Sequence, residues 1–228
     1  VAPSQAEPGQ KVSVRIKRED RWGNPVGKPW RETHQVRSSA GVQRLAIRDR
    51  DRKLRCETNP ILVQEAPLWN RYWADLHGQS EETVGTNSID DYFRFGRDFG
   101  FLDACAHQGN DFQITDPFWK TIEATTAKYL QPGRFITFPG WEWSGNTGLG
   151  GDRNVLYRHD EPRMRRSGRF FTETDPDPEA DLPHAIEFLE TFKKEQVLLN
   201  LHVGGRPTNL AYHAPEIEPL FEIHSTHA

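Results

Sequence analysis

The sequence predicts an α/β protein in which a small antiparallel β-sandwich-like domain over residues 1–67 precedes a barrel-like domain over residues 68–228. The first part of the chain alternates apolar and polar residues, with turn-forming Gly, Asn and Pro between the runs. After Trp69, continuous apolar runs alternate with helix-like segments. That second pattern is typical of a parallel sheet or barrel whose two faces are both buried.

The predicted β domain begins with Val12, Val14 and Ile16, which alternate with polar neighbours and are followed by turn residues at 22–25. A period of two places such side chains on one face of a strand. A further apolar strand is expected at residues 61–63, after a turn at Asn59-Pro60. We therefore expect a separate, sandwich-like unit without metal ligands.

Helix signals separate the strands of the second domain. Ser88 with Asp91 forms a capping-box pattern, and Asp116-Pro117 supplies an N-cap with a proline in the first turn. A third helix is expected to begin near Pro183. Only about five strands fit before Ala228, whereas a closed barrel needs roughly seven or eight. We therefore expect the barrel to be incomplete in this chain, and the natural protein to continue beyond it.

Length, charge and hydropathy narrow the classes of function. The chain has 228 residues and a formal net charge of -4, so no basic field predicts nucleic-acid binding. No apolar stretch approaches the roughly 20 residues that a membrane-spanning helix needs, so we expect a soluble protein without a membrane partner. The sequence begins with Val1 rather than Met, and it does not decide between a cytoplasmic and a periplasmic location. It does not decide the oligomeric state either.

Potential metal ligands stand at or near the ends of the apolar runs in the second domain. Side chains two apart in a strand project together, and barrel enzymes build their sites at the carboxyl ends of strands. A single histidine is more often a surface or core residue, but the repetition along the chain favours a metal site. The candidates are His77, Gln79, His107, Glu142, His202 and His224.

Other candidates leave two interpretations open. Arg153 and Arg206 lie in Gly-rich turns, where they would contact phosphate oxygens or be ordinary surface arginines. His224 either completes the metal cluster or ends a core strand.

The chain has two cysteines, Cys56 and Cys105, which argues against a disulfide framework or a thiolate zinc site. Cys105 is a conceivable nucleophile, but a small buried residue is the commoner case.

Five motifs along the chain together resemble a known bacterial family. They are Asp75-Leu76-His77-Gly78-Gln79-Ser80, Ala106-His107-Gln108-Gly109-Asn110-Asp111, Phe138-Pro139-Gly140-Trp141-Glu142-Trp143-Ser144, Gly150-Gly151-Asp152-Arg153-Asn154-Val155 and Leu201-His202-Val203-Gly204-Gly205-Arg206. The family is domain-of-unknown-function family 3604, a branch of the PHP (polymerase and histidinol phosphatase) superfamily. The resemblance runs from around Asn70 to the C-terminus.

The resemblance implies a distorted (β/α)7 TIM-like PHP barrel whose strand ends hold two or three divalent ions, namely Zn, Mn or Fe. It implies that His77 is the first His of a His-x-His motif, that His107 and His202 are further ligands, and that Glu142 is a bridging carboxylate. Two departures stand out. Gln79, a weaker neutral ligand, replaces the second His, and the Asp-x-His pair of the family is absent.

These observations predict a metal-dependent hydrolase, first of all a phosphomonoesterase or phosphodiesterase acting on a small-molecule phosphate ester. Two ions about 3.5–4 Å apart, bridged by Glu142, would lower the pKa of a shared water, so that a metal-bound hydroxide attacks the ester. Arg153 and Arg206 would contact the phosphate. Two alternatives stay open: a metal-dependent hydrolase of another ester, an amide or a sulfate, and a non-catalytic module with a degenerate barrel that binds a glycan or peptide.

Overall fold

The computed structural model describes residues 1–48, 51, 53–145, 148–158, 162–169, 171–172, 177–203 and 206–223. Contacts between Cα atoms divide the chain into two compact units. The first contains Val1–Ala74 and Gly96–Asp103, and the second contains Asp75–Phe95 and Ala104–Ala228. The domain boundary between residues 67 and 68 that the sequence suggests stays a prediction.

The first unit contains short strands around a small apolar core. They are β1 (Gln5–Ala6), β2 (Lys11–Glu19), β3 (Pro25–Gln35), β4 (Gly41–Gln43), β5 (Ala46–Arg48), β6 (Leu54–Glu57) and β7 (Ile61–Val63). Strands β2 and β3 pair in antiparallel fashion, as do β5 and β6, whereas β1 and β7 are parallel in a sheet of order β1-β7-β4. Val12, Val14 and Ile16 are buried, as their alternation predicts.

The remaining strands and helices follow in the order β8 (Ala74–Gly78), α1 (Ile89–Asp98), β9 (Ala104–His107), α2 (Asp116–Tyr129), β10 (Ile136–Phe138), β11 (Gly140–Trp143), β12 (Asp152–Tyr157), α3 (Ala185–Phe192), β13 (Val197–His202) and β14 (Leu220–Glu222). One sheet has the strand order β10-β9-β8. A four-stranded sheet has the order β11-β12-β13-β14. This second sheet contains Glu142 and His202, two of the candidate metal ligands.

Helix starts follow the local sequence signals closely. Ser88 Oγ accepts a hydrogen bond from the Asp91 N–H at 3.2 Å, which caps the start of α1, and it donates one to the Asp91 carboxylate at 3.0 Å. For α2 the cap is Thr115 rather than the predicted Asp116, because the Thr115 hydroxyl accepts from the Phe118 N–H at 3.2 Å. The chain therefore enters both helices through hydroxyl caps.

The predicted distorted (β/α)7 TIM-like barrel is wrong. In the described residues the strands form five small sheets, none of them closed, with only three short helices. Strand β12 runs antiparallel to both β11 and β13, whereas the strands of such a barrel are all parallel. Residues 144–151 are too few for a parallel crossover, which needs about a dozen residues or more. The parallel pairing of β1 with β7 likewise departs from the predicted antiparallel sandwich.

The sheet β11-β12-β13-β14 has one polar face and one aromatic face. Its register places Glu142 opposite Asn154, Asn154 opposite Asn200, Asp152 opposite His202, and His202 opposite Glu222. Because side chains alternate along each strand, these six polar residues share one face. On the other face, Trp143 stacks on Phe188 of α3 with ring centroids 4.4 Å apart. The aromatic face therefore anchors the sheet, and the polar face is left to build a site.

Gly140 marks a close approach between β11 and β12. A Cβ at this position would lie 1.9 Å from the Val155 carbonyl oxygen and 2.5 Å from Gln108 Nε2. The Gln108 side chain itself donates to the Val155 carbonyl and accepts from the Val155 N–H. Neither neighbour is free to move, since one is backbone and the other is held by two hydrogen bonds.

We expect Gly140→Ala to lower the free energy of unfolding by about 1–3 kcal/mol or more, because the methyl group forces β11 away from β12. Urea denaturation followed by circular dichroism measures this change. Gly148→Ala is the matched control, since a Cβ there meets nothing within 4 Å. Equal denaturation midpoints for the two variants would contradict the close approach.

Candidate metal centre

Three strands bring His77, Glu142 and His202 together. The candidate ligand atoms of these residues all lie within 4.8 Å of one another. His77 Nε2 lies 3.5 Å from Glu142 Oε2, and His202 Nε2 lies 3.5 Å from Glu142 Oε1. In a tetrahedral site with bonds of about 2.1 Å, neighbouring ligand atoms are about 3.4 Å apart. Each of the two separations is close to this value, and they involve different oxygens of Glu142.

The backbone holds each of these residues at the end or edge of a strand. The Glu142 N–H donates to the Gly109 carbonyl at 2.9 Å, which ties β11 to the segment after β9. The His77 N–H donates to Asp75 Oδ1 at 3.1 Å. His202 is the last residue of β13 and pairs with Asp152 across the sheet. Rigid pairing rather than a flexible loop therefore sets the positions of all three side chains.

A second carboxylate orients the His77 ring. His77 Nδ1 lies 3.1 and 3.0 Å from the two oxygens of Glu222, and Asn200 Nδ2 donates to Glu222 Oε2 at 3.3 Å. A carboxylate on one ring nitrogen holds the proton there and leaves the other nitrogen as a ligand atom, as is usual for metal-binding histidines. The Nε2 atom of His77 accordingly points toward Glu142.

His202 is buried without a hydrogen-bond partner in the described part of the chain. Only 1% of its surface is exposed, and among the described residues neither Nδ1 nor Nε2 makes a hydrogen bond. Leaving a buried polar group unsatisfied costs about 1–3 kcal/mol, so such groups call for an explanation such as a bound ion or water. The chemistry of the neighbouring donors, an imidazole and a carboxylate, fits an ion.

The charges of the triad support one another. Burial by itself raises the pKa of Glu142, but its interactions with His202 and His77 outweigh this and lower the pKa to about 2. Burial lowers the pKa of His77, whereas Glu142 and Glu222 raise it, with the net result of a pKa of about 9. Glu142 is therefore an anion that draws positive charge into the centre.

The triad lines a cavity of about 310 Å³. The other lining residues are Gln79, Val84, Asn110, Phe112, Ser144, Asp152 and Arg206. Arg206 Nη1 donates to Asp152 Oδ1 at 2.9 Å, and 38% of the Arg206 side chain is exposed. The cavity thus combines a potential metal centre with a partly exposed guanidinium group that an anion can reach.

His107 and Arg153, which the sequence also suggests as site residues, lie outside the cavity wall. His107 is fully buried on β9, where its Nε2 lies 2.9 Å from Ser80 Oγ and burial lowers its pKa to about 3. Arg153 is also fully buried and donates to Glu218 Oε1 at 2.6 Å and to the carbonyls of Gly150 and Tyr212. Neither residue lines the cavity.

The structure also locates Gln79 and Cys105. Gln79 lines the cavity and donates from Nε2 to Glu142 Oε2 at 2.8 Å. Cys105 is buried, and burial raises the pKa of its thiol to about 12, which disfavours the nucleophilic thiolate. His224 lies outside the described residues.

Sequence reasoning missed Asp152 and did not assign a role to Glu222. Alternation offered a signal for Asp152, because Asp152-Arg153-Asn154 places Asp152 and Asn154 on one face of β12 and Arg153 on the other. The choice of Arg153 followed its charge rather than its position in that alternation. No local signal shows that Glu222 reaches His77, since the two are far apart in sequence.

Fold and site define a sheet-rich protein with a candidate metal centre of two histidines and one glutamate. The chain belongs to the family described as protein of unknown function (DUF3604), which matches residues 53–207. No solved structure matches the chain. Among the described residues, no helix is both long enough and apolar enough to cross a membrane.

Curated relatives come from two species of Chlamydia. The chain is 29% identical over 119 residues to an uncharacterized protein of Chlamydia pneumoniae. It is 28% identical over 118 residues to an uncharacterized protein of Chlamydia trachomatis serovar D. Each match covers 51% of this chain and 19% of the relative, so the matched segment spans about a fifth of either relative.

For a centre that holds a zinc ion, we expect Glu222→Gln to weaken Zn²⁺ binding about 10–100-fold, because the His77 ring loses its orienting carboxylate. Competition titration against a chromophoric chelator measures the dissociation constant. Glu216→Gln is the matched control, since Glu216 is exposed and pairs with Lys193 at 3.4 Å, away from the cavity. Equal Zn²⁺ affinities of the two variants would show that Glu222 plays no part.

Proposed function

We propose that this chain contains the centre of a metal-dependent hydrolase that acts on phosphate esters. The observation that carries the proposal is His202, which is buried and whose ring nitrogens make no hydrogen bond among the described residues, with Nε2 3.5 Å from Glu142 Oε1. Two histidines and one glutamate form a known ligand set of catalytic zinc, which leaves a further position for water or substrate.

The donor set fits Zn, Mn or Fe, because imidazole suits zinc and iron, and carboxylate oxygen suits manganese. A divalent ion held there supplies a Lewis acid for the ester and lowers the pKa of a water toward neutrality. The described triad offers ligands for one ion. The two or three ions implied by the family resemblance would need additional ligands.

Several residues of the chain assist this chemistry. Glu222 orients His77, and Glu142 brings the negative charge that retains a cation. Arg206, held by Asp152, lies in the wall of the same cavity and offers N–H groups to phosphate oxygens. Arg153 has no part in this proposal, because Glu218 and two carbonyl groups bind its guanidinium group.

We also propose that the family is a branch of the PHP superfamily. The support is the resemblance of the five motifs, together with the proximity of three residues that it implies as ligands, His77, Glu142 and His202. The proposal concerns ancestry and the metal centre.

A second candidate is hydrolysis of a non-phosphate ester or amide at the same centre. The favouring observation is that Asp152 already neutralises Arg206, while Phe112 and Val84 supply apolar wall to the cavity. A panel of phosphate, sulfate and carboxyl esters, each assayed with added Zn²⁺ or Mn²⁺, separates the two candidates.

We expect Glu142→Gln to lose bound metal and to lower hydrolysis by about two orders of magnitude or more, since the centre loses its anionic ligand. Inductively coupled plasma mass spectrometry measures the bound metal. Hydrolysis of p-nitrophenyl phosphate measures the activity. Glu216→Gln should retain both properties. Full metal content together with full activity in Glu142→Gln would refute the proposed centre.

We expect Arg206→Ala to retain its metal but to lower kcat/KM for phosphate esters about 10–100-fold, the loss expected for one hydrogen bond to a charged group. Carboxyl esters should be hydrolysed as before. Arg134→Ala serves as a control, because Arg134 is exposed and does not line the cavity. An equal loss for both ester classes would argue against phosphate recognition by Arg206.

A further inference from the structure

Gln79 presents its amide nitrogen, not its oxygen, to the candidate metal centre. Its Nε2 donates to Glu142 Oε2 at 2.8 Å. Its Oε1 is turned away, where it accepts hydrogen bonds from Thr83 Oγ1 at 2.7 Å and from the Val84 N–H at 3.3 Å. The opposite orientation would set an amide oxygen against a carboxylate and an NH₂ group against an N–H donor. The partners therefore dictate the orientation.

This orientation gives the two carboxylate oxygens of Glu142 different surroundings. Oε2 accepts the hydrogen bond from Gln79 and lies 3.5 Å from His77 Nε2, whereas Oε1 lies 3.5 Å from His202 Nε2. A cation on Oε2 would stand beside the positive end of the amide N–H dipole, an unfavourable position in a buried site where charges are poorly screened. Oε1, which has His202 Nε2 beside it, is therefore the better placed oxygen for an ion.

We propose that Gln79 is a positioning residue, not a ligand, and that it restricts the centre to one divalent ion bound by His77, His202 and Glu142 Oε1. This inference rests on the proposed metal-dependent function and deepens it by setting the number of ions. Glu142 then acts as a terminal ligand and does not bridge two ions.

His107 lies outside this group, and its buried Nδ1 makes no hydrogen bond among the described residues. A second ion would need further ligands, and the resemblance implies His107 as one of them. His107 Nε2 lies 2.9 Å from Ser80 Oγ, and its ring packs edge-on against Phe118 at 5.8 Å between centroids. In the described residues His77, Glu142 and His202 form a group with metal-binding geometry that does not include His107.

Thr83 holds the side-chain amide of Gln79 in its orientation. Its hydroxyl holds Gln79 Oε1, and thereby keeps Nε2 directed at Glu142. Removing this hydroxyl should loosen the carboxylate if Gln79 positions it. If Gln79 Oε1 were instead a ligand, removing a competing donor would strengthen its bond to the ion. The two roles therefore predict opposite signs for one substitution.

The test is titration of the full chain with Zn²⁺ and with Co²⁺, compared among wild type, Gln79→Met, Thr83→Val and the double variant. We expect one ion per wild-type chain. Gln79→Met should bind one ion about 10–100-fold more weakly, without a change in the Co²⁺ absorption spectrum, because the ligands stay the same. Thr83→Val should show a smaller loss in the same direction, and no added loss in the Gln79→Met background.

Gln131→Met is the matched control, a glutamine outside the cavity whose substitution should leave the affinity unchanged. Thr83→Val retains the test of sign even if Gln79→Met fails to fold. Tighter binding by Thr83→Val, unaltered affinity of Gln79→Met, or two ions per wild-type chain would overturn the positioning role.

The experiments test the proposed hydrolase function separately from the positioning role of Gln79. A wild-type chain that binds neither Zn²⁺ nor Co²⁺ removes the metal-dependent function and this inference together. One bound ion with the expected variant series, but no hydrolysis of any ester, removes the hydrolase alone and supports the role of Gln79.

Discussion

A buried carboxylate organises the second unit of this protein. Glu142 is 6% exposed, and an ionised carboxylate in such surroundings is unfavourable unless donors and positive charge surround it. Gln79 donates to one of its oxygens, and His77 and His202 approach the two oxygens at 3.5 Å. Glu222 then balances His77 from the far side of its ring. Carboxylate and imidazole groups therefore alternate from Glu142 to His77 to Glu222. Removing one of them leaves a neighbouring group without its electrostatic partner, which is unfavourable in a buried site.

The antiparallel sheet makes that alternation possible. Strand β12 lies between β11 and β13, so residues of all three strands meet in register on one polar face. The opposite face packs Trp143 on Phe188, and it buries Arg153 against Glu218. A well-packed aromatic face holds the strands rigidly, and rigidity matters because a metal site tolerates errors of only about 0.5 Å in its ligands. The core on one face of the sheet therefore supports the candidate chemistry on the other.

Much of the candidate site could be predicted from the sequence, whereas the topology could not. The ends of apolar runs predict that His77, His107, Glu142 and His202 meet in one centre. The structure brings His77, Glu142 and His202 together, whereas His107 lies outside that group. The barrel was inferred from strands that alternate with helices, but the segment between Trp143 and Asp152 forms a short connection between antiparallel strands. Periodicity describes one strand at a time and says nothing about the direction of its neighbour. Arg153 is a different case, because its charge suggests phosphate binding although alternation along β12 places it on the buried face, opposite to that of Asp152 and Asn154.

The sequence by itself determined which side chains share a face, because the alternation of a strand and the capping of a helix are local properties of the backbone. Val12, Val14 and Ile16, and the cap of Ser88 with Asp91, are of this kind. Only the tertiary structure decided which faces meet. It set Glu222 against His77, turned the amide of Gln79 toward Glu142, and buried His107 beside Ser80. These contacts join residues from different strands or loops, and they depend on strand direction, register and the competition between donors, none of which a local pattern contains.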